Sequence, residues 1–378
     1  MIKLGDESRE QIRLGSSEVQ VGKPLPWSIF DSERRLFMRK GAVVETPAQL
    51  VQLAQHAMYR SGGETNSARS VEERRKAPFF VIGEMMGRLN ASLSAIAAKH
   101  QNFSIEQFQE LCTGIQVMCA EDADAALAAV HLDREGKYTV RHLIHCALLV
   151  ELVAYRIGYS PDDRHRLVAA SLTANVGMLE LQERLMKQGM VTPEQRQEIN
   201  GHCERSVALL RQAGVQDDLW LEIVLQHHER MDGGGYPRGL RGPEIVEGAR
   251  LIALADIYHA KISDRIYRAA MLPTHALRQV FLGKGKDVDQ DLAQLFIKEV
   301  GVYPPGGFVT LTNGELAVVT HRAQDGRLPL VASIITPRGA PYPRPLSRDT
   351  GNKEYAIKET AVRDGAILLT DLMPLWGY

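Results

Sequence analysis

Apolar side chains recur at helical spacing through the middle of the chain. The segments FFVIGEMMGRLNASLSAI, EQFQELCTGIQVMCAEDADAALAAVHL and TVRHLIHCALLVELVAYRIG place apolar residues at positions i, i+3 and i+4, which is typical of helices with one buried face. Gly158 follows the third segment and is expected to end its helix. Because no strand-like alternation interrupts this pattern, we predict an all-helical domain over residues 79–300.

The pattern before this domain is different. Residues 1–60 contain short β-prone runs interrupted by proline and glycine. Pro47 then begins an amphipathic segment, PAQLVQLAQHAMYR, that is typical of a helix. We therefore predict a small N-terminal module of α/β or β type. Residues 61–78 are polar, charged and rich in glycine and serine, and they are predicted to form a linker.

The character of the chain changes again after the helical domain. Residues 301–378 contain β-prone runs with turn signals at Asn313-Gly314 and Asp325-Gly326, and the first pair is typical of a hairpin turn. Residues 340–352 are rich in proline, arginine and serine and are interpreted as a surface excursion. The sequence thus predicts a β-rich C-terminal extension.

Composition narrows the classes of protein. The 378 residues include 45 basic and 46 acidic side chains, for a net charge of −1, which argues against a general nucleic-acid or membrane-surface binder. Of the four cysteines, Cys112 and Cys119 lie in the helical segment LCTGIQVMCA and are interpreted as small buried residues rather than a disulfide framework or a zinc knuckle. The longest apolar runs are too short to span a bilayer, and the charged N-terminus does not resemble a signal peptide. We expect a cytoplasmic protein; its oligomeric state is not predicted.

The stretch QHHERMDGGGYPRG contains the strongest candidate for a functional site. His227 and His228 both follow helical spacing from the apolar residues of DDLWLEIVLQ and are expected to point inward. A buried imidazole requires a partner, and either a metal or an ordinary hydrogen bond satisfies this requirement. His142 and His202 lie beside apolar helix faces, and Asp256 follows the apolar run ARLIALA. Four imidazoles and one carboxylate on separate helices suit divalent iron, manganese or zinc.

These residues carry a resemblance to a known family. HHERMDGGGYP resembles the HHExxDGxGYP signature of HD-GYP domains, and YTVRH, RGLRGPEIVEGARLIALADIYHAKISDRIYR and YPPGGFVTLTNGELAVV resemble further segments of that family, so that the resemblance covers residues 105–335. It implies an all-helical HD phosphohydrolase fold and a place in signalling by cyclic di-GMP, which many members hydrolyse. We predict a mainly α fold, an HD-GYP-like helical bundle with small β-containing N-terminal and C-terminal modules.

One family element is altered. The family's HDxGK segment aligns with SLTANVGMLEL, in which Gly177 keeps the glycine. Ala174 stands at the histidine position, Asn175 at the aspartate position and Met178 at the lysine position. In the family, the aspartate bridges two metals and the lysine offers positive charge to a phosphate. The resemblance therefore implies a degenerate catalytic element.

The retained ligands carry only one negative charge, so we expect fewer ions than in the family's metal cluster. His145, one turn from His142, and Glu180 are candidates to replace the lost ligands, but both are interpreted as packing or helix-surface residues. Five other histidines have no constellation around them and are interpreted as surface or packing residues: His131, His165, His259, His275 and His321.

A glycine-rich loop follows the histidine pair. The resemblance implies that it lies beside the catalytic cleft and contacts diguanylate cyclase (GGDEF) domains; a rigid turn locked by proline is a compatible interpretation. The loop residues expected to bind substrate or partner are Asp232, Gly233, Gly235, Tyr236 and Pro237. Arg265 and Arg268 are candidates for bidentate contacts with phosphate, the alternative being an ion pair with Asp264.

Two main hypotheses for function follow. The first is a degenerate HD-GYP protein of cyclic di-GMP signalling, a catalytically impaired regulator that binds this nucleotide, a related one or a signalling partner. The alternative is a metal-dependent cyclic di-GMP phosphodiesterase with a reduced metal site. A third interpretation, an interaction module, predicts neither metal nor nucleotide binding.

Overall fold

The computed structural model describes the following parts of the chain: residues 11–13, 22–23, 25, 29–30, 36–38, 43–44, 59–61, 78–98, 103–188, 190–264, 269–283, 287–323, 328–362, 367 and 372–378. The chain divides into two compact units, Met1–Arg75 and Lys76–Tyr378. No helix in the described part combines the length and hydropathy that crossing a bilayer requires.

The first unit contains a four-stranded antiparallel sheet of order β1-β4-β2-β3. Its strands are β1 (Gln11–Arg13), β2 (Ile29–Phe30), β3 (Leu36–Met38) and β4 (Tyr59–Ser61). Most of the helix predicted from Pro47 lies outside the described residues. For its last two residues, Tyr59 and Arg60, the prediction of a helix is wrong, because they belong to β4. Residues 62–77 of the predicted linker also lie outside them. The predicted boundaries at residues 60, 78 and 300 stay predictions.

The second unit begins with a helical region, as the apolar periodicity predicts. Its helices are α1 (Pro78–Ala97), α2 (Ile105–Glu121), α3 (Ala123–Leu132), α4 (Tyr138–Ile157), α5 (Pro161–Thr173), α6 (Leu179–Leu185), α7 (Pro193–Asn200), α8 (His202–Gln212), α9 (Asp218–Gln226), α10 (Glu247–Ile262), α11 (Pro273–Leu282) and α12 (Gln290–Val300). A short 3-10 helix, Val176–Met178, joins α5 to α6.

Local sequence signals fix where these helices begin and end. The side chains of Ser104, Ser160 and Asp217 accept hydrogen bonds from backbone N–H groups three residues further on, at the starts of α2, α5 and α9. Gly158 ends α4 in the left-handed conformation, with φ of 94°, which confirms the prediction for this position.

Helix α4 lies at the centre of the helical region. It packs against α2, α5, α10 and α12, and nearly all of its side chains from Thr139 to Ala154 are buried. Two of them are imidazoles, His142 and His145. Because buried polar groups need partners, α4 brings its histidines to polar groups on neighbouring elements.

The C-terminal part forms a five-stranded antiparallel sheet of order β8-β7-β6-β5-β9. Its strands are β5 (Phe308–Leu311), β6 (Leu316–His321), β7 (Leu330–Ile335), β8 (Pro341–Asp349) and β9 (Ile357–Ala361). Strand β6 packs against α3. Arg322, directly after β6, donates from Nε to Asp124 Oδ1 on α3 at 2.6 Å. Near the C-terminal end of the described chain, the ring of Trp376 lies 5.8 Å from that of Phe79 on α1.

The predicted hairpin at Asn313-Gly314 joins β5 to β6. The second turn signal, Asp325-Gly326, lies outside the described residues. The interpretation of residues 340–352 as a surface excursion is wrong, because most of them form the edge strand β8, which pairs with β7. Its three prolines occupy alternate positions, so the backbone nitrogens that carry no hydrogen all face the same edge of the strand. An edge strand can leave that edge unpaired.

Candidate metal centre

Two buried histidines face each other where α8 begins and α9 ends. His202 is the first residue of α8, and its Nδ1–H donates to the carbonyl of Ile199 at 2.6 Å. His227 follows the last turn of α9, and its Nδ1–H donates to the carbonyl of Val224 at 2.7 Å. A carbonyl only accepts, so the proton of each neutral ring resides on Nδ1. The two Nε2 atoms, 3.4 Å apart, therefore present lone pairs to each other.

His228 completes a group of three. Its ring centroid lies 4.1 Å from that of His227 and 5.0 Å from that of His202. One nitrogen from each of the three rings lies within 4.8 Å of the others. Burial, and then the neighbouring imidazoles, lower the pKa of His202 to about 3, of His227 to about 4 and of His228 to about 3. The rings are thus neutral at physiological pH, which is the form that binds metal.

A second pair lies between α4 and α10. His142 Nε2 lies 2.8 Å from Asp256 Oδ1, within hydrogen-bond distance. Burial opposes ionisation of this carboxyl, but the hydrogen bond from His142 and the proximity of His142, His228 and His227 hold the pKa of Asp256 well below its usual value. Asp256 is therefore a carboxylate, the one anion among the predicted ligands.

One cleft joins the two groups. It has a volume of about 840 Å³, and its lining includes His227, His228, Asp256 and Tyr236. The structure thus brings predicted ligands from α9 and α10 to one cavity, with His202 and His142 directly behind them. Ligand pockets in proteins commonly have volumes of roughly 300–1,000 Å³.

The charges around the cleft are mixed. Arg196, Arg230 and Lys261 line it. Arg230 is paired with Asp287, and Lys261 Nζ donates to Gln279 Oε1 at 2.7 Å. Arg196, on α7, is exposed. Its guanidinium makes no hydrogen bond or ion pair with the residues that the structure describes.

The glycine-rich loop forms a tight turn over the centre. Tyr236 packs its ring 4.9 Å from that of His228. A Cβ atom on Gly235 would lie 2.4 Å from the backbone nitrogen of Arg230, so only glycine fits there. Asp232 Oδ1 accepts from the Gly234 N–H at 2.8 Å. These contacts agree with the interpretation as a rigid turn, and Gly234, Gly235 and Tyr236 also line the cleft.

The remaining loop residues shape the turn or face another depression. Gly233 has φ of +80°, which favours glycine. Pro237 lines a neighbouring, shallower cleft together with Tyr236 and residues of α7 and α8. Glu229 is buried and accepts from the Arg238 and Leu240 N–H groups at 2.7 and 3.0 Å. This glutamate thus holds the loop in place.

The altered element lies against the start of α8. The carbonyl of Ala174 accepts from Ser206 Oγ at 2.9 Å, and a Cβ atom on Gly177 would lie 2.6 Å from the His202 carbonyl oxygen. Asn175 is buried, and its Oδ1 has no hydrogen-bond partner among the described residues. Met178 is half-buried. The segment offers no charged side chain at these positions.

Three further predicted or candidate site residues are Arg265, Arg268 and Glu180. Arg265 and Arg268 lie outside the described residues. Glu180 is exposed, in agreement with its interpretation as a helix-surface residue.

The structure corrects the interpretation of His259. This residue is 1% exposed, and its Nδ1 lies 2.7 Å from Nδ1 of His142. Its Nε2 lies 2.9 Å from Nδ1 of His145, which is also buried. The sequence spacing indicates this arrangement. His259 follows Asp256 by three residues and His145 follows His142 by three, so each pair lies on one face of its helix.

Comparison with known proteins agrees with this architecture. Residues 123–292 match the HD domain family. The protein of Pseudomonas aeruginosa named cyclic di-GMP phosphodiesterase PA4108 is 32% identical over 232 residues, which are 61% of this chain and 54% of that protein. The 3'3'-cGAMP-specific phosphodiesterase 3 of Vibrio cholerae is 32% identical over 141 residues, 37% of this chain and 30% of that protein.

A solved structure shares the fold. The HD-GYP-type protein Bd1817 of Bdellovibrio bacteriovorus, described as a HDG"Y"P protein, superposes with a TM-score of 0.50 and 16% identity, covering 76% of this chain and 98% of that one. The chain spans about half the length, or less, of the curated relatives named here.

Most of the helical region, residues 123–292, thus matches the HD domain family. This match and the relatives named as cyclic di-GMP phosphodiesterases support the resemblance stated from the sequence, and the shared fold of the solved structure confirms the mainly α fold.

Proposed function

We propose that this protein binds a cyclic dinucleotide, cyclic di-GMP in the first instance, in the cleft beside His228 and Asp256, and acts as a catalytically impaired regulator of cyclic di-GMP signalling. The observation that carries this proposal is the contrast within one site. His227, His228 and Asp256 line the cleft with His202 behind them, whereas the segment from Ala174 to Met178 offers neither a carboxylate nor a cation.

The residues present fit a divalent metal. Two lone pairs that face each other at 3.4 Å repel, and a cation between or beside them removes that repulsion. His202, His227, His228, His142 and Asp256 would hold iron, manganese or zinc. With one carboxylate in this set, fewer ions are expected than in the family cluster. When bound, such an ion supplies Lewis acidity to a phosphate oxygen.

The cleft suits a cyclic dinucleotide in size and charge. Its volume of about 840 Å³ suits a ligand of that size, and Arg196 offers a positive charge at the cleft. The relatives are named for cyclic di-GMP and for cGAMP, so the class of ligand is better supported than the choice of base.

Catalytic impairment follows from the chemistry of the altered segment. A metal-bridging carboxylate and a phosphate-binding cation are both replaced by uncharged side chains. Loss of a single electrostatic contact of this kind typically reduces turnover by roughly 10²–10³-fold. The neighbouring face of the glycine-rich loop, with Tyr236 and Pro237, is proposed as the surface for a GGDEF-domain partner.

Product analysis tests the proposal. Anaerobically purified protein is incubated with cyclic di-GMP and Mn²⁺ or Fe²⁺, products are separated by chromatography, and binding is measured by calorimetry on the same sample. We expect binding without linear product. The matched variant Ala174→His/Asn175→Asp/Met178→Lys restores the altered positions and is expected to gain hydrolysis.

Turnover by the wild type at roughly 1 s⁻¹ or faster would instead establish the alternative, a phosphodiesterase with a reduced metal site. The observation that favours this alternative is the retained set of five predicted ligands, His142, His202, His227, His228 and Asp256. Absence of both binding and turnover would favour an interaction module.

A further inference from the structure

A buried row of side chains extends from the metal centre into the protein. Asp256 Oδ1 is 2.8 Å from His142 Nε2, and His142 Nδ1 is 2.7 Å from His259 Nδ1. His259 Nε2 is 2.9 Å from His145 Nδ1, and His145 Nε2 is 3.8 Å from Asp133 Oδ2. Three imidazoles thus connect a carboxylate at the cleft to a second carboxylate at the end of α3.

The row is shielded from water. His142, His259 and His145 are 2%, 1% and 0% exposed, and Asp133 is 3% exposed. The Asp133 carboxylate is held in place by the Glu135 N–H, which donates to its Oδ1 at 2.8 Å. Solvent therefore cannot replace a missing donor or acceptor along the row. Ser263 Oγ lies 3.5 Å from His259 Nδ1 and Cys146 Sγ lies 3.9 Å from His142 Nδ1, and both distances are longer than the links between the rings.

Only two arrangements of protons satisfy the two links between the rings, with one proton on each ring. In the first, His142 donates from Nε2 to Asp256, and every link donates toward the cleft. His145 Nε2 is then bare and faces the Asp133 carboxylate; this nitrogen has no hydrogen-bond partner in the part of the chain that the structure describes. In the second arrangement every link is reversed, so that His142 Nε2 is bare and His145 directs an N–H at Asp133.

The second arrangement is the one that a metal ligand requires. A histidine coordinates through a bare nitrogen, and the hydrogen bond at the other nitrogen fixes which one is bare. The number of protons on the three rings is the same in both arrangements. The two carboxylates favour opposite arrangements: Asp256 attracts the N–H of the first, whereas Asp133 attracts the N–H of the second and repels the lone pair of the first. A cation at the cleft would offset the charge of Asp256 and leave Asp133 to favour the second arrangement.

We propose that His259, His145 and Asp133 are positioning residues that stabilise the His142 ring with Nε2 bare when a divalent metal binds at the cleft, and that they thereby raise the affinity of the centre for that metal. This inference rests on the metal site of the proposed function. It assigns a role to two histidines and one aspartate that lie behind the ligands.

Metal titration of stripped full-length protein tests it, with Zn²⁺ and Mn²⁺ as probes and a chelating dye as competitor. His259→Leu removes both links and is expected to weaken metal binding by roughly 10–100-fold, the usual effect of losing the partner of a ligating histidine. His259→Asn keeps an acceptor near His142 Nδ1 but cuts the link to His145, so a smaller loss is expected. Asp133→Asn keeps an oxygen without its charge and is also expected to weaken binding.

His131→Leu is the matched control. His131 is a buried histidine whose Nε2 lies 2.7 Å from the hydroxyl of Tyr258, the neighbour of His259 on α10, but it has no place in the row. Its variant is expected to bind metal as the wild type does. Thermal unfolding of each metal-free variant shows whether it folds. If His259→Leu does not fold, the metal affinities of Asp133→Asn and His259→Asn test the inference instead.

A spectroscopic measurement is independent of affinity. Long-range ¹H–¹⁵N NMR correlations report which nitrogen of each histidine carries the proton, and Zn²⁺ is expected to move the proton of His259 from Nδ1 to Nε2 in the wild type. If wild-type protein binds no metal, both this inference and the proposed metal site are wrong. If the wild type binds metal and the row variants bind it equally well, or the control loses as much affinity as they do, this inference alone is wrong.

Discussion

His202 and His227 present bare Nε2 atoms to each other at 3.4 Å, because each ring donates its Nδ1–H to the carbonyl three residues before it. The repulsion between these lone pairs is built in by local backbone geometry, at the start of α8 and at the end of α9. Both rings are buried, so water cannot relieve it. A cation bound by the two Nε2 atoms can relieve the repulsion.

Removing one member of the pair should abolish tight metal binding. We expect His227→Ala to weaken the binding of Zn²⁺ or Mn²⁺ by more than the roughly 10–100-fold that follows from losing a ligand's hydrogen-bond partner. Dye competition measures the affinity, and elemental analysis measures the metal retained after purification. His321→Ala, at an exposed histidine of β6, is the control. Unchanged affinity in His227→Ala would remove the pair from the metal site.

The buried histidines should make the metal-free protein sensitive to mild acid. Burial lowers the pKa of His131 and His202 to about 3 and that of His227 to about 4, from an ordinary value of 6.5. Below about pH 6.5 the unfolded chain binds more protons than the folded protein, so the free energy of unfolding falls as pH falls. Each such histidine contributes a slope of up to roughly 1.4 kcal/mol per pH unit.

Urea unfolding of metal-free protein between about pH 7 and pH 5 measures this slope. Metal should oppose the loss, because protons compete with it for the same nitrogens. A free energy of unfolding that does not change over this interval would contradict the burial of neutral imidazoles.

The glycine-rich loop should not accept a methyl group at its tightest point. In Gly235→Ala, the new Cβ would lie 2.4 to 2.6 Å from backbone atoms of Arg230, Glu229 and His228. Backbone cannot yield as a flexible side chain does, so we expect a loss of about 1–3 kcal/mol in stability and weaker nucleotide binding. Chemical denaturation and calorimetry measure the two effects.

Gly83→Ala provides the matched control. Gly83 is exposed within α1, and nothing lies within 4 Å of the position of its Cβ. A helical glycine replaced by alanine should stabilise the protein by roughly 0.5–1 kcal/mol. Equal effects of the two substitutions would mean that the loop is less tightly packed than its contacts indicate.

Arg196 should contribute affinity for a phosphate-containing ligand. It lines the cleft and is exposed. A hydrogen bond to a charged group is typically worth about 1.5–3 kcal/mol, so Arg196→Ala should weaken cyclic di-GMP binding by roughly 10–100-fold. Arg211→Ala, at an exposed arginine in the last turn of α8, is the control. Calorimetry in which both variants match the wild type would place the nucleotide elsewhere.

The sequence predicted the elements that local chemistry determines. The apolar periodicity and the glycine after α4 identified the helices, and the HHE…GYP signature identified His227 and His228 because it is contiguous. The sequence is less informative for residues whose roles depend on partners that are distant in sequence. The sequence predicts a surface or packing role for His259, because its partners, His142 and His145, lie more than a hundred positions away on α4. Strand β8 was missed because an edge strand tolerates prolines and polar side chains.

The effect of replacing Asn175 by aspartate on stability should depend on whether metal is present. Its buried amide oxygen has no hydrogen-bond partner among the described residues, and the resemblance places it where the family has a bridging aspartate. In metal-free protein, Asn175→Asp buries a carboxylate without a partner, and we expect stability to fall by about 1–3 kcal/mol. With Mn²⁺ present the same carboxylate gains a cation, and the melting temperature should rise more on adding metal than it does for the wild type. Thermal unfolding of both proteins, with and without Mn²⁺, measures the four values. If the metal-induced rise in Tm is the same for the two proteins, then Asn175 does not face the metal centre, and its replacement does not explain a loss of catalysis.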